Sequence, residues 1–155
     1  MSKLDVEYRV ELSALELLQA FAALLTAVGD ADNVVRGNIR HGQAAFPCAY
    51  VRAHGFLEFG RHTGWYRGSM RLGACSYKAD DATGAVAYGI LGALRGFAQQ
   101  TDLPAQLTGT TSAQAAETLL TCEDIECDAS TGEDIEREEI YHYLLDVSAL
   151  VRPSR

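Results

Sequence analysis

Four cysteines, four histidines and a dense group of carboxylates are the residues of this 155-residue chain that could do chemistry. Metal binding is the first chemistry to test. Cys48, Cys75, Cys122 and Cys127 form no C-x-x-C pair, and His41, His54, His62 and His142 are scattered. On a strand, the odd spacing of Cys122 and Cys127 puts them on opposite faces, where they cannot chelate one ion. The expectation is therefore no metal, with buried reduced thiols. Acid–base catalysis is the second. Glu136, Glu138 and Glu139 lie in an acidic run without a burial signal, which reads as a solvated face. Ser69 and Ser148 lack a nucleophile elbow, and His142 falls on the more polar face of an alternating segment. There is no phosphate loop and no dinucleotide fingerprint, so neither catalytic residues nor a cofactor are expected. The chain reads as a non-enzyme.

Binding chemistry is better supported. Phe56, Phe59, Trp65 and Tyr66, with Arg61 and Arg67 close by, cluster in and just after a glycine-punctuated stretch, Gly55 to Gly64. Such aromatics either fill a core or anchor an interface. Charge is segregated along the chain. Arg36, Arg40, Arg52, Arg61, Arg67, Arg71 and Lys78 face only Glu58. From Glu117 to Asp146, eleven carboxylates face only Arg137. Opposite surfaces on one chain suit head-to-tail self-association. The net charge of −8 argues against nucleic-acid binding as the main task.

The elements that must position these residues follow from periodicity. Hydrophobic residues make up 48% and charged residues 22%, as in an ordinary globular domain, so 1–155 is read as one domain. No window reaches the length of a membrane span, and the charge-alternating start is unlike a secretory signal. Assembly in the cytosol is expected. Leu4, Val6, Tyr8, Val10 and Leu12 alternate with charged residues, which predicts a strand or extended arm over 1–12; the first turns of a helix are the alternative. Ser13 to Glu16 has capping-box spacing before a helix running to Val28, with Gly29 as its cap. Short strands are expected at Val34–Ile39 and Ala45–Ala53, a hairpin tip at Gly55–Gly64, and a strand from Tyr66 to Tyr77. Asp80 or Asp81 caps the next helix, which carries a stripe of Ala85, Gly89, Gly92 and Gly96 beside an apolar face of Val86, Ile90, Ala93, Leu94 and Phe97. Interior glycines imply a close approach, to the chain's own sheet or to a neighbouring subunit, and Tyr88, Leu91 and Arg95 are read as the free side. Thr101–Thr111 is read as loop, Ser112–Glu117 as a helical turn, Leu119–Asp128 as a strand, and Gly132 as the centre of a turn. The last strand is the clearest, with Tyr141, Tyr143, Leu145, Val147, Ala149 and Val151 on one face. The predicted fold is α+β: an antiparallel sheet of four or more strands, with two helices packed on one face.

This order resembles the tail terminator, or tail completion (minor tail protein), family of long-tailed bacteriophages. The resemblance runs over the capped helix, the short strand at Val34-Val35-Arg36-Gly37, the Phe46-Pro47 step into an apolar strand, the glycine-tipped hairpin, the second helix and two closing strands. It implies a structural virion protein, assembled in the host cytoplasm. The protein would form a hexameric ring at the head-proximal end of the tail tube, stop tube growth and mediate head–tail joining. Its partners would be other copies of the chain, the tail tube protein and a neck protein, with no membrane. DNA would pass through the channel without specific binding, past a wall made acidic by Glu117–Asp146. Phe56, Phe59, Arg61, Trp65, Arg67, Arg95, Glu136, Glu138 and Glu139 are the expected interface residues. The alternatives are a head–tail adaptor or stopper of the same neck, and a non-viral α+β domain that binds a small ligand.

Overall fold

Alternation of small and apolar residues over Tyr66–Tyr77 makes β3 a central strand, with Met70, Leu72 and Ala74 fully buried on one face. The structure, a computed structural model, describes residues 3–37, 47–108, 120–127 and 139–154. Its elements are α1 (Lys3–Gln19), α2 (Ala22–Val28), β1 (Val34–Arg36), β2 (Cys48–Glu58), β3, α3 (Ala85–Ala98), α4 (Leu103–Thr108), β4 (Leu120–Cys127) and β5 (Ile140–Pro153). They build an α+β fold around a five-stranded sheet of order β1-β2-β3-β5-β4. Three pairings are antiparallel, as expected, but β1 runs parallel to β2, so the sheet is mixed. Among the described residues there are four α-helices where two were expected. On the helix-bearing face, strand residues such as Val51, Leu72 and Leu145 join Leu18, Leu94 and Leu103 in the main core. α1 packs on β2, α3 on β3 and β5, and α4 on β4.

Three local expectations change. Residues 4–12 are not an arm but the first half of α1. Val6, Val10, Ala14 and Leu18 recur every fourth residue and are all at most 1% exposed. That helical stripe gains burial against the sheet, which the two-residue alternation does not. Ser13 thus lies inside the helix, buried, rather than at a cap. The chain then breaks at Ala20–Phe21 and bends by 80° into α2. Phe21 is extended and sets its ring edge-on to Phe97, 5.6 Å away. Gly29 closes α2 as expected, with φ 91° and its N–H on the Leu25 carbonyl.

Pro104, read as punctuation, instead sits in the first turn of α4, where a missing N–H costs nothing. Leu103 and Leu107 anchor that short helix in the core. β2 continues past Ala53 to Glu58 through a bulge, with Gly55 at φ 69°. The bulge shifts the alternation, so Phe56 turns inward and Leu57 outward. The expected turns at Ser112–Glu117 and Gly132 lie outside the described residues, as do Ala45 and Phe46.

The glycine stripe of α3 is the main surprise. The buried face is Ala87, Ile90, Leu91, Leu94, Phe97 and Ala98, so Leu91 is not free and Val86, 40% exposed, is not core. Gly89, Gly92 and Gly96 are exposed, and a Cβ built on any of them would meet nothing within 4 Å. Close packing on the chain's own sheet does not explain them. The N-cap residue is Gly84, at φ 74°, rather than Asp80 or Asp81, but Asp81 still reaches the helix start from three residues before it. Asp81 is buried; its carboxylate accepts from the Val86 and Ala87 N–H groups at 3.1 Å and from the Ser76 hydroxyl at 2.8 Å.

Candidate interaction surface

The sheet face away from the main core carries the residue types that looked chemical. Strand register sets them in rows across β2, β3 and β5: Cys48–Cys75–His142, then Tyr50–Gly73–Leu144, then Arg52–Arg71–Asp146, then His54–Ser69–Ser148. Cys48, Tyr50, Cys75 and Leu144 form a small second core made of strand residues alone, with Val35 packed on it. Gly73 is required here, because a Cβ would run into the Tyr50 ring. The Tyr50 hydroxyl lies at hydrogen-bond distance, 2.6 Å, from His142 Nε2, and burial pushes the phenol pKa up, so the phenol stays protonated. Arg71 donates to both Asp146 oxygens at 3.1 and 3.3 Å, and His54 Nε2 lies 3.8 Å from the same carboxylate.

This arrangement does not activate a nucleophile. The hydrogen bond to Cys75, followed by burial, pushes the Cys48 thiol pKa up, opposite to what thiolate chemistry needs. Burial likewise pushes the Cys122 thiol up to about 11. A register shift between Cys122 and Asp124 cancels the odd spacing of the last two cysteines. Cys122 pairs with Val151 and Cys127 with Val147. Among the described residues no group of three or more His, Cys, Asp or Glu could hold a metal ion.

The stronger surface is the end of the sheet where β2 turns into β3. The loop is closed by the Phe59 N–H on the Trp65 carbonyl at 2.7 Å and by the Thr63 hydroxyl on the Phe59 carbonyl at 2.6 Å. Gly60, His62 and Gly64 all have positive φ, which tightens the turn. Leu57 and Phe59 are 64% and 56% exposed. The Arg67 guanidinium lies 5.4 Å from the Phe59 ring centre, and that of Arg152 lies 5.0 Å from Trp65. Arg61 is exposed in the same loop, and Arg67 Nε is buried without a hydrogen-bond partner. A cleft of about 790 Å³ opens between His62–Gly64 and Thr121, Arg152 and Pro153. Its lining is polar and apolar in about equal measure.

Of the residues expected at an interface, Phe59, Arg61, Trp65 and Arg67 are therefore brought together. Phe56 is not: it is fully buried against Gly68, so it is core. Arg95 stands apart on α3, half-buried, with its Nε lacking a partner. Glu139 is exposed at the opposite end of the sheet, where its carbonyl accepts from the Lys78 N–H at 3.0 Å. Glu136 and Glu138 lie outside the described residues. Sequence reasoning missed Leu57 and Arg152. Arg152 reaches Trp65 because Tyr66 pairs with Val151, a register that links segments far apart in the chain.

Among the described residues no single helix is long and apolar enough to cross a membrane. No protein-family model matches the chain, and no curated protein matches it either.

Proposed function

We propose that this chain is a structural protein of the tail-terminator kind, which assembles into a closed ring at the head-proximal end of a phage tail tube. There it stops tube growth and offers a docking face to the neck. The carrying observation is that the sheet has two unlike ends. One holds basic and aromatic side chains, with Phe59, Arg61 and Arg152 exposed and Trp65 and Arg67 half-buried. β5 begins at the other, and the sequence leading into it is acidic, while β4 stops in mid-sheet opposite Val147. A closed ring needs this kind of heterologous contact, in which one patch meets a different patch on the next subunit. The activity proposed is binding alone, with DNA passing through the ring without specific contacts.

Negative-stain imaging of the purified chain, added to tail tubes assembled from tube protein, tests this reading. The expected result is a sixfold ring at one end of each tube and an arrest of further elongation. Unchanged elongation, with no density at either end, contradicts it.

A further inference from the structure

We propose that Cys48 and Cys75 form a redox latch, which a small-molecule disulfide of the glutathione class closes into a cross-strand disulfide. The inference goes beyond the ring reading and stands or falls without it.

Register brings the two thiols together. Cys48 and Cys75 are directly opposite on antiparallel β2 and β3, so both side chains leave the same face of the sheet. Opposed residues hold their Cα atoms about 4.5 or 5.5 Å apart, and both values fall within the roughly 4.4–6.8 Å that a disulfide spans. Both are free thiols, 0% and 1% exposed, packed with Tyr50 and Leu144 in the small second core. Their side chains already share a hydrogen bond. A disulfide adds no atom to that core and removes two hydrogens. The other cysteines are out of reach. Cys122 belongs to the main core on the other face. It lies opposite Val151, whose β3 partner is Tyr66, about 30 Å along the sheet from Cys75. Cys127 lies opposite Val147, whose β3 partner is Met70, about 17 Å along the sheet and two strands away.

The pair sits where the sheet opens most readily. Cys48 is the first residue of β2, and Pro47 before it has no N–H with which to extend the ladder. β1 pairs only with Ala49, Tyr50 and Val51. Fraying one strand end therefore exposes Cys48 while the rest of the sheet stays paired. In the closed sheet the shared hydrogen bond and burial keep the Cys48 thiol protonated, so the latch closes slowly. Once frayed, the thiol is solvated and ionises as a free cysteine does. The Cys48 thiolate attacks one sulfur of oxidised glutathione, and one glutathione leaves as its thiolate. The Cys75 thiolate then attacks the Cys48 sulfur of the mixed disulfide and expels the second glutathione. Two protein thiols lose two electrons and two protons, and the glutathione disulfide gains both. Reduced thiol reverses the exchange. The closed loop spans the whole β2–β3 hairpin, which restricts the unfolded chain and stabilises the folded one.

A redox titration of the folded, full-length chain tests the latch. The protein is held for days at stepped ratios of oxidised to reduced glutathione, quenched in acid, alkylated in denaturant and read by intact mass and peptide mapping. The expected product is lighter by two hydrogens and yields a peptide cross-linked between Cys48 and Cys75. Its fraction should rise with the ratio and vanish in dithiothreitol. The linked chain should unfold at least about 5 °C above the reduced chain. Cys75→Ser should lose both the link and the shift, whereas Cys122→Ala should keep both; Cys75→Ala serves if the serine variant does not fold. Four free thiols at the most oxidising ratio overturn the proposal. So does a glutathione adduct that never resolves into the internal link, or a link made through Cys122 or Cys127. A Cys48–Cys75 link that leaves the unfolding temperature unchanged or lower also overturns the latch.

Discussion

Replacing Asp81 with alanine removes the acceptor for two α3 N–H groups and for Ser76, and should cost about 1–2 kcal/mol of stability. Urea unfolding followed by circular dichroism checks it. The carboxyl also gives a pH signature. Burial alone would raise its pKa, but the Ser76 hydroxyl and the α3 N–H groups outweigh burial and hold it below the ordinary value. A lowered folded pKa stabilises the protein above the ordinary carboxylate value of about 4 and is lost as pH falls through the folded value. Asp81→Asn should therefore flatten the acid limb of the stability curve below about pH 4 and leave its shape above pH 5 unchanged. Two glycines make a matched pair at the same scale. Gly73→Ala drives a methyl into the Tyr50 ring and should destabilise by about 1–3 kcal/mol. Gly92→Ala enters open space on a helix and should stabilise the monomer by about 0.5–1 kcal/mol. Equal and opposite thermal shifts are not required, but a destabilised Gly92→Ala monomer would mean the helix face is covered within the chain. An aspartate serving the start of α3 was legible in the sequence as Asp80 or Asp81, although the cap position itself falls on Gly84. The reason for Gly73 was not, since Tyr50 reaches it only through the β2–β3 register.

At the scale of elements, α1 does more than bury a stripe. β1 covers only three residues of the much longer β2, which leaves backbone donors beyond it. Glu11 Oε1 accepts from the Ala53 N–H at 3.1 Å, its other oxygen from Arg36 at 3.1 Å, and Glu7 from the Phe56 N–H at 3.4 Å. The helix thus occupies an edge that would otherwise invite strand pairing. Glu11→Ala strands the buried Ala53 donor and should cost about 1–3 kcal/mol, whereas Glu11→Gln keeps one acceptor and should cost less. Equilibrium unfolding of the two variants side by side separates them. The helix was misread because Glu7 and Glu11, like Val6 and Val10, fit a spacing of two as well as four. Only the facing strand edge decides between the two periods. β3, α3 and β5 were legible because each repeats one period for twelve residues or more. Phe56 was ambiguous for the converse reason: the Gly55 bulge shifts the phase of β2 within a single residue.

For the whole molecule, order along the chain predicted an α+β domain, while the parallel β1–β2 pairing and the adjacency of β3 and β5 came from contacts that local periodicity does not encode. Charge segregation was visible in the sequence. Its placement on the sheet was not: Arg67, Leu150 and Asp124 share one row across β3, β5 and β4, which depends on which strands are neighbours. The exposed glycine face of α3, with Tyr88 stacked on Tyr143 at 4.4 Å, remains a smooth surface beside the sheet. If the ends join as argued, association is electrostatic at its rim and should weaken with salt, since exposed charges are screened beyond about 8 Å at physiological ionic strength. The central claim is that copies of this chain join through unlike ends into a closed sixfold ring. Native mass spectrometry of the wild-type chain across protein concentration, at low and high ammonium acetate, reads it directly. The account predicts a dominant species of six chains at low salt that dissociates as salt rises. A single-chain mass at every concentration and salt would contradict it.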